Sequence, residues 1–207
     1  TPLGSPLLIE VPSLGQAFSG WLLFAVLGLV IGSLYFGAVA RATSAVKESF
    51  SLPRAVWQAG QTLLLTLLLL LLLFLLSIPI FLVSVLLALI SVAIAQFSLL
   101  LTSFLLLWIL IPLVFSPHGI FAAGQNALRA MLISLRLTRA LFPGVGLFLL
   151  SAIVLAQGLG VLWRMAPETS WLMLAGLFGN AFIGTGLLAA SFVYYRGAAS
   201  WASQNRK

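Results

Sequence analysis

Side chains that could do chemistry are scarce in this chain, and their spacing keeps them apart. The acids are three glutamates with no aspartate, beside one histidine and no cysteine. General acid and base catalysis requires titratable groups that converge on one site, whereas Glu10, Glu48 and Glu168 lie in three separate segments. The absence of cysteine excludes disulfides, thiolate metal sites and cysteine nucleophiles. We therefore expect no enzymatic activity.

His118 is the candidate for cofactor binding. A neutral imidazole can ligate the magnesium of a chlorophyll or the iron of a heme, although one histidine is too few for a histidine metal cluster. His118 follows Pro117 at the inner end of an apolar run. The alternative interpretation is a polar residue whose ring lies among the lipid headgroups. The sequence requires no cofactor, and it predicts no metal site.

The composition is that of an integral membrane protein. Of 207 residues, 62% are hydrophobic and 6% are charged, whereas a soluble domain carries about 25% charged residues. The sequence pI of about 11.3 does not indicate nucleic-acid binding. The basic residues are dispersed in short segments between apolar runs, as in the cytoplasmic loops of membrane proteins.

The apolar runs predict an all-α bundle of five transmembrane helices. A hydrocarbon core of about 30 Å requires roughly 20 apolar residues in a helix. The uncharged run 55–118 is too long for one span, and two helices joined near residues 91–98 fit it. Pro79 and Pro112 lie inside these two helices, where we expect kinks rather than ends. The predicted spans are residues 17–40, 57–90, 94–116, 141–163 and 171–195.

The basic residues predict the orientation, because short cytoplasmic loops collect Lys and Arg. With the N-terminus outside and the C-terminus cytoplasmic, nine of the ten basic residues fall inside, and only Arg164 lies opposite. We expect a multi-pass protein of the bacterial cytoplasmic membrane. It would have an extracytoplasmic tail 1–16, a single transmembrane domain 17–196 and a cytoplasmic tail 197–207. The nine inner residues are Arg41, Lys47, Arg54, Arg129, Arg136, Arg139, Arg196, Arg206 and Lys207.

Residues 119–139 are too polar to span a membrane and have a helical pattern of polar and apolar side chains. They predict an amphipathic helix at the cytoplasmic interface. Arg129, Arg136 and Arg139 would then lie near the phosphates of anionic lipid headgroups. The alternative is a helix that packs on the bundle while its arginines are merely solvated.

Small residues predict close contacts between helices. Asn180 lies near the middle of the fifth span, where an unpaired amide in hydrocarbon is costly, so we expect it to face another helix. The alternative is a substrate or lipid groove lined by Asn180 and Gln157. The predicted contact residues are Gly28 and Gly32 in the first span, Ala152, Ala156 and Gly160 in the fourth, and Gly176, Gly179, Asn180 and Gly184 in the fifth.

The chain resembles a group of bacterial polytopic membrane proteins of unknown function, related to the membrane domain fused to some glycerophosphoryl diester phosphodiesterases. The resemblance covers roughly residues 20–195. It rests on Gly32 to Arg41, on the long double-span apolar stretch, and on Phe115 to Phe142, where Gly119, Ala127, Ser134, Leu135 and Arg139 match the short helix of that group. The group usually has six spans, one more than predicted here. The resemblance carries over no catalytic residue.

Three hypotheses of function follow from these patterns. The first is a non-catalytic accessory or scaffolding subunit of a membrane complex, respiratory or photosynthetic, that packs against partner helices, lipids or pigments. The second is a small transporter or lipid-handling protein. The predicted spans contain no Asp, Glu, Lys or Arg, which argues against coupling to protons or cations. The third is a pigment-binding subunit that uses His118.

Overall fold

The computed structural model describes residues 13–46, 49–165 and 170–204. It is 90% helical, and the described residues contain no strand, which confirms the all-α class. The helices are α1 (Leu14–Ala42), α2 (Leu52–Ile90), α3 (Val92–Leu110), α4 (Ser116–Ala123), α5 (Ala127–Ala140), α6 (Phe142–Arg164) and α7 (Leu172–Gln204), with a 3₁₀ turn at Ile111–Leu113.

Five helical segments within the described residues are long and apolar enough to cross a membrane. They are α1, α2, the stretch that begins with α3, α6 and α7, and each coincides with one predicted span. The chain is therefore a helical, multi-pass membrane protein. Several predicted features lie outside the described residues: Glu10 and the first twelve residues of the tail, Lys47, Glu48, Glu168, Arg206 and Lys207.

Ser91 alone connects the second and third spans. Its backbone is extended, with φ −161° and ψ 129°, between the end of α2 and the start of α3. Its N–H donates to the carbonyl of Leu87 at 2.9 Å, and its carbonyl accepts from the N–H of Ala95 at 3.1 Å. Both backbone polar groups of the connecting residue are thus paired. The break lies at the first residue of the predicted turn.

The two internal prolines differ in effect. Pro79 lies inside α2, as predicted. The expectation for Pro112 was wrong, because α3 ends at Leu110 and a 3₁₀ turn contains the proline. Proline has no N–H to donate, and its ring clashes with the preceding turn, so a tighter 3₁₀ turn is a common result.

Two compact units make up the chain. The first contains Thr1–Ser49 and Leu141–Lys207, and its helices are α1, α6 and α7. The second is Phe50–Ala140, in which α2 and α3 pack along each other and α4 and α5 form a short helical hairpin. The segment predicted as one interfacial helix over 119–139 is therefore broken. The prediction of a single domain over 17–196 stays a prediction.

Cysteine labelling tests the predicted orientation, since the native chain contains no cysteine and gives no background. Ala93 lies just after the turn at Ser91, and Ser203 lies near the end of α7; both are exposed. In intact cells, Ala93→Cys should react with a membrane-impermeant maleimide, whereas Ser203→Cys should react only after the cells are lysed. The reverse pattern would place the N-terminus inside.

Candidate functional site

The α4–α5 hairpin contains the most deeply buried residues of the second unit. It packs on the 3₁₀ turn and on α2. Its buried set mixes apolar, small and polar side chains, which distinguishes it from the largely exposed leucine surface of α2 and α3. The buried residues are Phe115, Ser116, His118, Gly119, Ile120, Phe121, Ala127, Ala130, Ser134, Leu137 and Thr138.

Two glycines make the hairpin possible. Gly124 ends α4 in the left-handed region, with φ 60° and ψ 31°, a conformation that side chains rarely adopt. The N–H of Gln125 then donates to the carbonyl of Gly119 at 3.1 Å. A Cβ at Gly119 would lie 2.8 Å from Gln125 Oε1 and 3.0 Å from the Cβ of Ala130. At Gly119, therefore, the two helices approach so closely that a side chain would not fit without displacing its neighbours.

Side chains of glutamine and asparagine form hydrogen bonds with backbone groups on either side of the turn between α4 and α5. The first N–H groups of a helix have no partner within it. The N–H of Ala127 donates to Gln61 Oε1 at 2.8 Å, and that of Arg129 donates to Asn126 Oδ1 at 3.0 Å. Gln58 Nε2 makes a longer bond, 3.5 Å, to the carbonyl of Phe121. The first turns of α2 are thus fixed to the hairpin by Gln58 and Gln61.

Ser134 joins α5 to the break after α3. Its hydroxyl donates to the carbonyl of Pro112 at 2.7 Å and accepts from the N–H of Phe115 at 3.1 Å. Thr138, one turn later, donates to the same carbonyl at 3.3 Å. Both side chains are fully buried. A pair of hydroxyls on α5 therefore supplies partners to backbone groups at the point where the α-helix is interrupted.

His118 lies inside this packed region and only 6% of its surface is exposed. Its ring meets that of Phe115 edge-on, with centroids 5.4 Å apart. A chlorophyll or heme macrocycle could reach the imidazole only after the hairpin had opened. The geometry thus favours a packing role, and the pigment hypothesis stays a prediction. Close by in sequence, Ser116 Oγ and Gln125 Oε1 are buried with no hydrogen-bond partner among the described residues.

Arg196 holds the end of α1 within the first unit. One guanidinium nitrogen donates to the carbonyl of Thr43 at 2.6 Å and to its hydroxyl at 3.0 Å; the other donates to the carbonyl of Ala40 at 2.6 Å. The last carbonyls of a helix have no helical partner and carry partial negative charge. The guanidinium group of Arg196, on α7, donates hydrogen bonds to these carbonyls and also offsets their partial negative charge.

Ring contacts set the register of α7 in the same unit. On the α1 side, Phe36 meets Phe192 edge-on at 6.2 Å. On the α6 side, Phe148 stacks on Tyr194 with centroids 4.6 Å apart. The hydroxyl of Tyr194 lies 3.0 Å from where a Cβ of Gly144 would be. Near this end of α7, aromatic contacts therefore fix the positions of α1 and α6 against α7.

Farther along the spans, most of the predicted contact residues have open space beside them. No atom lies within 4 Å of a Cβ built on Gly28, Gly32, Gly160 or Gly184. Of the remaining predicted positions, Gly176 is buried, Ala152 and Gly179 are half-buried, and Ala156 and Asn180 are exposed. Neither Asn180 nor the exposed Gln157 has a hydrogen-bond partner among the described residues. The contact of Asn180 with another helix therefore stays a prediction.

The three predicted headgroup residues share one surface. Arg129, Arg136 and Arg139 are exposed on α5, opposite the face that carries Ser134 and Thr138. Sequence reasoning did not single out Gln58, Gln61 or Arg196. The signal for the first two was available: two glutamines three residues apart, on one face at the start of an otherwise apolar helix. Nothing local in the sequence distinguishes Arg196 from the other arginines predicted to lie inside.

Substitution of Gly119 tests the close approach in the hairpin. Gly119→Ala should destabilise the protein by about 1–3 kcal/mol, because a methyl group must displace Gln125 and Ala130. Gly158→Ala is the matched control: Gly158 is also helical, with no atom within 4 Å of its built Cβ. The control should be neutral or stabilising by up to about 1 kcal/mol. Thermal unfolding in detergent, followed by tryptophan fluorescence, measures both; equal effects would contradict the contact.

Arg196→Gln tests the junction with α1. The change removes charged donors from two helix-terminal carbonyls and should lower the unfolding free energy by about 1.5–3 kcal/mol. Arg136→Gln, a matched change at an exposed arginine, should have an effect within about 0.5 kcal/mol. The same unfolding assay compares them. An Arg196 variant as stable as the parent would show that the guanidinium is not required.

No protein-family model matches the chain, and no curated protein or solved structure is significantly similar to it. The resemblance to the membrane domain of glycerophosphoryl diester phosphodiesterases therefore stays a prediction that rests on the residues named above.

Proposed function

We propose that the chain is a non-catalytic subunit of a bacterial cytoplasmic-membrane complex, and that the first unit binds a transmembrane helix of a partner protein. The observation that carries the proposal is the exposure of Asn180 and Gln157 within the apolar spans α7 and α6. An amide that hydrocarbon alone surrounds costs free energy unless it is hydrogen-bonded. A partner helix with a polar side chain would remove that cost.

Small and polar residues of α6 and α7 lie at a similar depth along the two helices, which supports one common contact region. Gly160 follows Phe148 by twelve residues, and Asn180 precedes Tyr194 by fourteen. Because Phe148 stacks on Tyr194 and the helices run in opposite directions, a rise of about 1.5 Å per residue places Gly160 and Asn180 within about 3 Å of the same level. Polar and small residues therefore occur together at one depth.

The small residues at that depth favour a helix as the partner. The built Cβ positions of Gly160 and Gly184 meet no atom within 4 Å, so a second backbone can approach there. Contacts between membrane helices are enriched in such residues, and hydrogen bonds across them contribute about 0.6–2 kcal/mol. A catalytic role has no comparable support, because the three glutamates lie in three separate segments of the sequence and the chain has one histidine.

Purification from the native membrane in a mild detergent, followed by mass spectrometry, tests the proposal. We expect a second membrane protein in stoichiometric amount, and its identity would show whether the assembly is respiratory, photosynthetic or of another kind. A monodisperse monomer without any co-purifying protein would contradict the proposal.

The double variant Asn180→Leu with Gln157→Leu should lose the partner while the chain itself still folds and inserts. Phe182→Leu is the control, since Phe182 is 77% exposed in the same span and lies on the opposite side of α7 from Asn180. If the double variant kept its partner but abolished passage of a solute or lipid, the groove function would replace the subunit function.

A further inference from the structure

The exposed face of α5 combines cations with large apolar side chains. Arg129, Arg136 and Arg139 are exposed, and Leu128 and Leu132 between them are 59% and 55% exposed. At 100° per residue, these five side chains fall within about 100° of the helix circumference. The opposite face packs in the hairpin. We call this set the arginine–leucine face.

The arginines of this face have no acidic partner in the described chain. All three glutamates, Glu10, Glu48 and Glu168, lie outside the described residues. No described side chain is therefore an anion, and none of the three guanidinium groups has a recorded interaction with a described residue. Three exposed cations on one helical face, unpaired within the described residues, favour an anionic ligand, and guanidinium groups bind phosphate through two parallel hydrogen bonds.

The position of α5 places the face at a membrane boundary. The hairpin follows the apolar helix α3 and is fixed to the first turns of α2 through Gln58 and Gln61. Only Leu141 separates α5 from α6, the next apolar helix. A helix attached in this way cannot move far from the headgroup region. Arginines at that level reach phosphates, while adjacent leucines reach the acyl boundary.

We propose that the arginine–leucine face is a binding site for anionic phospholipids. The leucines select the lipid over a soluble phosphate, since a free anion would leave Leu128 and Leu132 in water. The site goes beyond the proposed subunit function, because it lies on another unit and uses other residues. Each arginine near an anionic surface should contribute about five-fold in affinity at low ionic strength, and salt should weaken the interaction.

The test titrates the full-length protein, in a neutral detergent, with dioctanoyl-phosphatidylglycerol and counts bound lipid by native mass spectrometry. Dioctanoyl-phosphatidylcholine and glycerol 3-phosphate are the comparison ligands. The variant R129Q/R136Q/R139Q should bind phosphatidylglycerol about 100-fold more weakly than the parent. The variant K47Q/R206Q/K207Q makes the same change in net charge elsewhere and should bind nearly as well as the parent.

Two further variants separate the contributions. R129K/R136K/R139K keeps the charge and should retain most of the preference for phosphatidylglycerol. L128Q/L132Q should weaken phosphatidylglycerol binding while leaving the weak binding of glycerol 3-phosphate unchanged. Equal losses in the two charge-matched Gln variants, equal affinity for phosphatidylcholine, or glycerol 3-phosphate binding as tight as that of the lipid would each overturn the proposal. Size-exclusion profiles and thermal unfolding confirm that each variant is folded.

Discussion

Backbone polar groups near the hydrocarbon core must be hydrogen-bonded, and three helix interruptions in the described chain show how this requirement is met. A continuous helix meets it internally, but every helix end releases N–H or carbonyl groups. At Ser91 the break is so short that both backbone groups still pair with the flanking helices. After Leu110 the break is longer, and Ser134 supplies the partners. At the end of α1, Arg196 does so. Ser134 and Arg196 therefore lie where a helix end releases backbone groups that need a partner.

The hairpin shows how this requirement also determines packing. Ser134 can bond Pro112 and Phe115 only if α5 lies against the 3₁₀ turn. That closeness in turn requires Gly119, where any Cβ would meet the neighbouring helix. His118 shares the same core, so its burial follows from the packing around it. A residue singled out from sequence as a candidate ligand thus lies among groups whose contacts are structural.

The sequence predicted the parts of the fold that depend on hydropathy and left unpredicted those that depend on tertiary contacts. Spans are recoverable because lipid imposes one length and one polarity on every crossing segment. The break at Gly124 was missed, since the helical pattern of 119–139 continues through a glycine whose left-handed conformation only the packing requires. The end of α3 at Leu110, before Pro112, was missed for a similar reason. Whether a proline kinks or ends a membrane helix depends on what pairs the freed backbone groups, and Ser134 is 22 residues from Pro112.

The roles of the arginines also depend on tertiary contacts that the sequence does not predict. In a count of charges for topology, the arginines predicted to lie inside are equivalent, because each adds one positive charge to the same predicted side of the membrane. The structure separates them by what they contact. Arg196 is bonded to helix-terminal carbonyls and stabilises the first unit. Arg129, Arg136 and Arg139 face outward with no carboxylate in the described chain to neutralise them. An arginine that already has backbone acceptors contributes to the fold, whereas an arginine without one retains its full attraction for a phosphate. For that reason a lipid site is to be sought on α5 rather than at the end of α7.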